Sequence, residues 1–158
     1  NCLESLFKLQ YGVEINFSDR FTAKASGTVP GWGNTLTRVA NSIRHDGLLT
    51  EDRYPWGGSS VEQYFAELPQ SVKRRAELVV RNMNIGYEWI GYGGVSNEAL
   101  SRALQFGPVQ VTLYAWKNPT TEGVYDYVEK LGNHAVMLFH VDSEGYKHIF
   151  DHYESSIK

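Results

Sequence analysis

Sulfur is scarce in this chain: its 158 residues include one cysteine, Cys2, and two methionines. A lone cysteine excludes an intrachain disulfide, a thiolate zinc cage and a C-x-x-C redox pair, while leaving a single reactive thiol open. Long apolar runs are missing too. The longest, Ala135 to Phe139, has five residues, against the roughly 20 that a membrane helix requires, so no membrane partner is expected. Nor does one sign of charge dominate. Fifteen Lys and Arg against 18 Asp and Glu leave −3, which argues against a broad phosphate-binding surface. Lys73-Arg74-Arg75 beside Glu77 reads as a solvated helix face, not a nucleic-acid site. The start at Asn1 has no Met and no charged-then-apolar leader, which predicts a processed chain or a fragment and leaves the compartment open.

What is present suits one domain over 1–158. Hydrophobic residues make up 42%, with seven Phe, four Trp and ten Tyr, and a chain this long buries about two thirds of its unfolded surface. No repeat or linker interrupts it, and a monomer without cofactor is expected. Before about residue 82 the spacing is helical. Leu3, Leu6, Phe7 and Tyr11 form one stripe that stops at Gly12, Ser18 caps a helix ending at Gly27, and Leu36 to Ile43 form a third, closed by Gly47. Val61–Leu68 and Val72–Asn82 follow, split by Pro69, which is disfavoured inside a helix.

From residue 83 on, β-branched and aromatic residues predict strands at Ile85–Tyr92, Val109–Trp116, Ala135–Val141 and Tyr146–Tyr153, with a helix at Ser96–Phe106. The last two strands form an antiparallel hairpin across Asp142-Ser143-Glu144-Gly145. The expected class is α+β, a helical subdomain over 1–82 and a β-rich one over 83–158. Tyr87, Trp89, Tyr92, Tyr114 and Trp116 are expected to fill the sheet core and its rim.

Cys2 falls at the first position of the first helix, with Asn1 as N-cap and Glu4 three residues on. Unpaired N–H groups there favour thiolate and can stabilise an oxyanion. A helix N-terminus contributes at most about 2 kcal/mol, whereas taking a thiol pKa from about 8.5 to about 4 needs roughly 6 kcal/mol. A neighbouring imidazole must therefore supply most of the rest. His45 reads as an exposed helix-end histidine. If the hairpin turn is centred between Ser143 and Glu144, paired residue numbers sum to about 287, by the period-2 alternation of a strand. His134 and His140 then share a face with Ile149, Asp151 and Tyr153, while His148 and His152 share the other with Ala135 and Phe139. That splits the histidines against a metal site and sets Asp151 diagonal to His134. Cys2, His134 and Asp151 are the parts of a nucleophilic cysteine hydrolase.

In that order along the chain, the sequence resembles the papain-like cysteine peptidases. Asn1-Cys2-Leu3-Glu4-Ser5 is similar to the family's nucleophile helix, without its usual aromatic after the cysteine. Asn16 to Phe21 resembles the start of its next helix, and Asp46 to Trp56 its Gly-Leu, acidic, Tyr-Pro-aromatic passage. Gly107-Pro108-Val109 after Glu98-Ala99-Leu100, Glu122-Gly123-Val124-Tyr125, and Asn133-His134-Ala135-Val136 continue the likeness. The resemblance implies a peptidase acting on peptide or protein substrates, with Cys2, His134 and Asp151 catalytic. Asp151-His152-Tyr153 stands where the family carries Asn-Ser-Trp. Its substrate-pairing glycines correspond to Gly31, Gly33 and Asn34, with Asn133 beside the histidine. The family's oxyanion-hole glutamine belongs to a stretch before Asn1. Transglutaminase-like enzymes, leader peptidases and peptidoglycan amidases use the same residue types in the same order, and a catalytically silent peptide-binding homologue is a further alternative.

Overall fold

The computed structural model describes residues 1–57, 60, 66–114, 124–125 and 130–151. Among the described residues five helices and three strands follow in order, and at several helix ends a side chain or a glycine satisfies orphan backbone groups. Helix α1, Cys2–Tyr11, stops at Gly12, whose φ of 67° lets its N–H reach back to Lys8 O at 3.0 Å. Helices α2, Asp19–Ala25, α3, Leu36–His45, and α5, Asn97–Leu104, are capped by Ser18, Thr35 and Ser96, which accept from the N–H of Phe21, Arg38 and Ala99. Helix α4, Gln70–Arg81, begins directly after Pro69. The expected helix over Val61–Leu68 lies largely outside the described residues.

Strands β1, Val109–Leu113, β2, His134–Val141, and β3, Lys147–Phe150, form one antiparallel sheet in that order. This is an α+β chain, with a sheet smaller than expected. Ile85–Tyr92 is not a strand: it is irregular, and Tyr87, Trp89, Ile90 and Tyr92 in it are exposed. Gly86 and Gly91 interrupt the run, and no other strand pairs with it among the described residues. Its aromatics therefore do not fill the sheet core. Tyr87 instead donates its hydroxyl to Asn41 Oδ1 at 2.9 Å, with the Arg44 guanidinium 5.9 Å from its ring. Trp116, His152 and Tyr153 lie outside the described residues.

The β2–β3 register explains where the histidines go. Met137 pairs with Phe150 and Leu138 with Ile149, a sum of 287, but His140 pairs with His148 and Val141 with Lys147, a sum of 288. The turn is one residue wider than expected. Asp142 N–H bonds Tyr146 O at 3.0 Å, and Gly145, at φ 90°, bonds Asp142 O. A bulge between Leu138 and His140 absorbs the extra residue. The expected separation of His148 from His140 is thus corrected: the bulge changes the parity, and the two rings lie 5.2 Å apart.

The chain divides into two compact units, residues 1–14 with 89–158 and residues 15–88. Helix α1 belongs with the sheet. In that first unit Leu100 of α5 and Val136 and Leu138 of β2 are buried, and Ser5 of α1 donates its hydroxyl to Met137 Sδ at 3.6 Å. In the second unit Phe21, Leu49 and Ala76 form the centre, with Ala25, Tyr54, Leu68 and Val72 around it. Tyr54 meets Phe21 edge-on at 6.3 Å and lies under Arg20, whose Nη1 donates to Pro55 O at 3.1 Å. Two of the segments that carry the family resemblance are therefore in contact.

Ser18 does most in that unit for its size. It is fully buried; its hydroxyl accepts from Phe21 N–H at 3.0 Å and donates to Tyr54 O. Ser18→Ala removes a cap worth about 1 kcal/mol and leaves the part-buried Tyr54 carbonyl short of a donor, costing a further 1 to 2 kcal/mol or so. Urea unfolding should show a total loss of about 2–3 kcal/mol, against about 1 kcal/mol or less for the more exposed cap in Thr35→Ala. Equal losses would mean that the Tyr54 bond contributes nothing.

Candidate active site

The front of α1 holds Cys2 half-buried at the first helical position, behind Asn1 as N-cap. The Asn1 side chain makes no capping bond. The Glu4 carboxylate, three residues on, lies 3.0 Å from the Asn1 amino nitrogen, which is the returning half of a capping box. The electrostatic outcome differs from the expectation of a thiolate. Burial pushes the Cys2 thiol above its ordinary value; the Asn1 amino group pulls it down, and Glu4 adds to the rise. Desolvation disfavours the anion more than the cation beside it favours it, so Cys2 left to itself is a protonated thiol at neutral pH.

His134 opens β2 and pairs with Leu113 of β1. The residue before it, Asn133, is exposed and ties its N–H to Leu113 O at 2.9 Å, which fixes the strand's entry. Asp151 follows β3 directly. With the register at 287 on this side of the bulge, it comes onto the face of His134, and the histidine Nε2–H donates to Asp151 Oδ2 at 2.8 Å. Both side chains are mostly shielded, at 13% and 28% exposure, so the bond is less screened than a surface pair. In a neutral ring, donation from Nε2 makes Nδ1 the acceptor nitrogen.

His134 and Asp151 are thus joined. Cys2 belongs to the same compact unit, but no hydrogen bond links its sulfur to His134 among the described residues. What ties α1 to β2 is one turn further along, Ser5 on Met137; Leu6 packs against Gly107 in the loop before β1, where a Cβ would lie 2.3 Å from Leu6 Cδ2.

Gly31, Gly33 and Asn34 belong to the second unit. Both glycines adopt φ 78°, which favours glycine, in a tight loop where Val29 and Gly33 exchange backbone bonds at 3.1 and 2.8 Å. The Gly33 N–H is therefore already donated, and a substrate strand would have to displace that bond. The Asn34 amide is turned into its own loop: Nδ2 donates to Ser26 Oγ at 2.8 Å and to Thr28 Oγ1 at 2.9 Å, and Oδ1 accepts from Thr35 N–H.

The signal that sequence reasoning misread is the turn. Asp142 accepts from the N–H of Glu144 and Tyr146 and from His148 Nε2 at 2.9 Å, an Asx-turn that its Asp-Ser-Glu-Gly sequence permits. Among the described residues no group of three or more His, Cys, Asp or Glu side chains is arranged to hold a metal ion. None of their helices is long and apolar enough to cross a membrane. A scan of protein-family models and a search of curated proteins both find no match to this chain.

Proposed function

We propose that this chain is a cysteine peptidase in which Cys2 is the nucleophile, His134 the general base and acid, and Asp151 the group that orients His134. The observation that carries this reading is the shielded 2.8 Å bond from His134 Nε2 to Asp151, on the unit that also holds the chain's one thiol. His134 Nδ1 takes the Cys2 proton as sulfur attacks the peptide carbonyl, and the imidazolium then protonates the departing amine. Water, deprotonated by His134, next cleaves the thioester and releases the acid. On this reading the N–H groups at the front of α1 donate to the developing oxyanion. Because burial raises the thiol, the reading is of a neutral thiol–imidazole pair that ionises on attack, not a standing ion pair.

The carboxylate at residue 151 favours a second reading, a Cys-His-Asp amidase or acyl transferase. The two share every step up to the thioester and differ in what accepts the acyl group. The test is turnover of a fluorogenic peptide library with free amine and muropeptide acceptors supplied in parallel, and mass spectrometry of trapped enzyme. Peptide hydrolysis with an acyl adduct on Cys2, both lost in Cys2→Ala, is the expected result. Transfer to amines or cleavage of muropeptides alone would select the second reading, and activity that survives Cys2→Ala would remove both.

A further inference from the structure

His140 and His148 form a constellation outside the set just described. They stand directly opposite one another in β2 and β3, both exposed, with ring planes 51° apart and centroids 5.2 Å apart. Neither strand alone predicts this pair; the bulge after Leu138 makes it. His148 donates Nε2–H to Asp142 Oδ2 at 2.9 Å, which leaves the lone pair of that ring on Nδ1. Asp142 is itself fixed by the N–H groups of Glu144 and Tyr146 on Oδ1, at 3.0 and 2.9 Å. The bond from His148 holds its carboxyl below the usual range, slight desolvation opposes this, and the two backbone bonds reinforce it.

We propose that His140 and His148 form a two-imidazole chelate for a borderline divalent transition ion such as Zn2+, Ni2+ or Cu2+, with Asp142 as the carboxylate behind His148. Geometry supports the size. Two imidazole nitrogens about 2.1 Å from a tetrahedral ion place their ring centroids about 5 Å apart, and the two rings stand 5.2 Å apart. A carboxylate on the far nitrogen of a ligating histidine fixes its tautomer and raises its basicity. Donor chemistry sets the class, since paired imidazoles favour Zn2+, Ni2+ and Cu2+ and discriminate against Mg2+ and Ca2+. Two protein donors leave the other positions to water, so the site is a clip across the end of the hairpin, not a cage.

This inference is independent of the peptidase reading and is tested without turnover. Calorimetric titration of the full chain with NiCl2 or ZnCl2 in a non-coordinating buffer should show saturable binding that is reversed by EDTA and absent with MgCl2. His140→Ala and His148→Ala should each weaken it at least about tenfold, and Asp142→Asn by about tenfold, while His134→Ala leaves it unchanged. Because either histidine substitution can disturb the hairpin, Cu2+ broadening of the imidazole resonances of the unsubstituted chain is a second measure, expected first at His140 and His148. Absence of saturable binding, broadening centred on other histidines, or loss on His134→Ala instead would each overturn the proposal.

Discussion

His134→Ala should lower kcat/KM for peptide hydrolysis by about 10⁴-fold or more, the scale on which removing the base of a nucleophile–base pair acts. KM should change little, because the loss falls on proton transfer and not on substrate contacts. On the proposed reading the thiol cannot compensate, because burial and Glu4 hold Cys2 protonated and its proton acceptor has been removed. In the His134→Ala protein, alkylation of Cys2 by iodoacetamide should therefore follow a titration midpoint above the ordinary thiol value of about 8.5, while the unsubstituted chain reacts at lower pH. Asp151 separates orientation from charge. Asp151→Ala removes the acceptor of Nε2–H and frees the ring to rotate, whereas Asp151→Asn keeps an oxygen there and should retain more activity than Ala. Hydrolysis and alkylation profiles indifferent to His134 would leave Cys2 an ordinary half-buried thiol and end the peptidase reading.

The same thiol makes a stability statement whose sign follows from the direction of its shift. A pKa raised in the folded state means that the folded chain holds its proton at pH values where the unfolded chain has released it. The contribution is complete below the unfolded thiol pKa and is lost as pH rises through the folded one. Alkaline, not acid, conditions are where Cys2 weakens the fold.

Local chemistry was legible in the sequence and pairing was legible only in part. Ser18 reads as a cap because a short hydroxyl before an amphipathic run meets an orphan N–H within three residues, which needs no tertiary context; Ser96, taken as the first residue of its helix, is in the structure the cap before it. The His134–Asp151 contact was readable by strand parity, since a sum of 287 governs that half of the hairpin. His148 was misplaced by the same arithmetic: the Asx-turn at Asp142 widens the turn by one residue, and the bulge that compensates leaves no mark in the alternation of side chains. Ile85–Tyr92 failed for a related reason. β-propensity describes a surface that fits a sheet, and among the described residues this run has no neighbouring strand to fit. The state of Cys2 divides likewise, for the N-terminal helix position is local and legible, whereas burial depends on what covers it.

Gly47→Ala should be the most damaging single-methyl change in the second unit, at about 3–5 kcal/mol. From the sequence Gly47 is a helix-closing residue after α3, an ordinary place for glycine. The structure adds a second constraint. Its φ is 94°, and a Cβ there would lie 2.1 Å from Ala76 O and 2.3 Å from Ala76 C. Those atoms are backbone in the middle of α4, and Ala76 is fully buried against the centre formed with Phe21 and Leu49, so neither rotation of a side chain nor an outward shift of the loop relieves the overlap cheaply. The backbone strain of a non-glycine residue at that φ costs about 1–3 kcal/mol, and displacing a packed helix costs about 1–3 kcal/mol more. Gly27→Ala provides the control in the same unit. Its φ of 72° carries similar strain, but nothing lies within 4 Å of the added carbon, so about 1 kcal/mol is expected. The difference between the two urea-unfolding losses isolates the close approach of Gly47 to α4. Equal losses would mean that α4 does not press on Gly47 in solution.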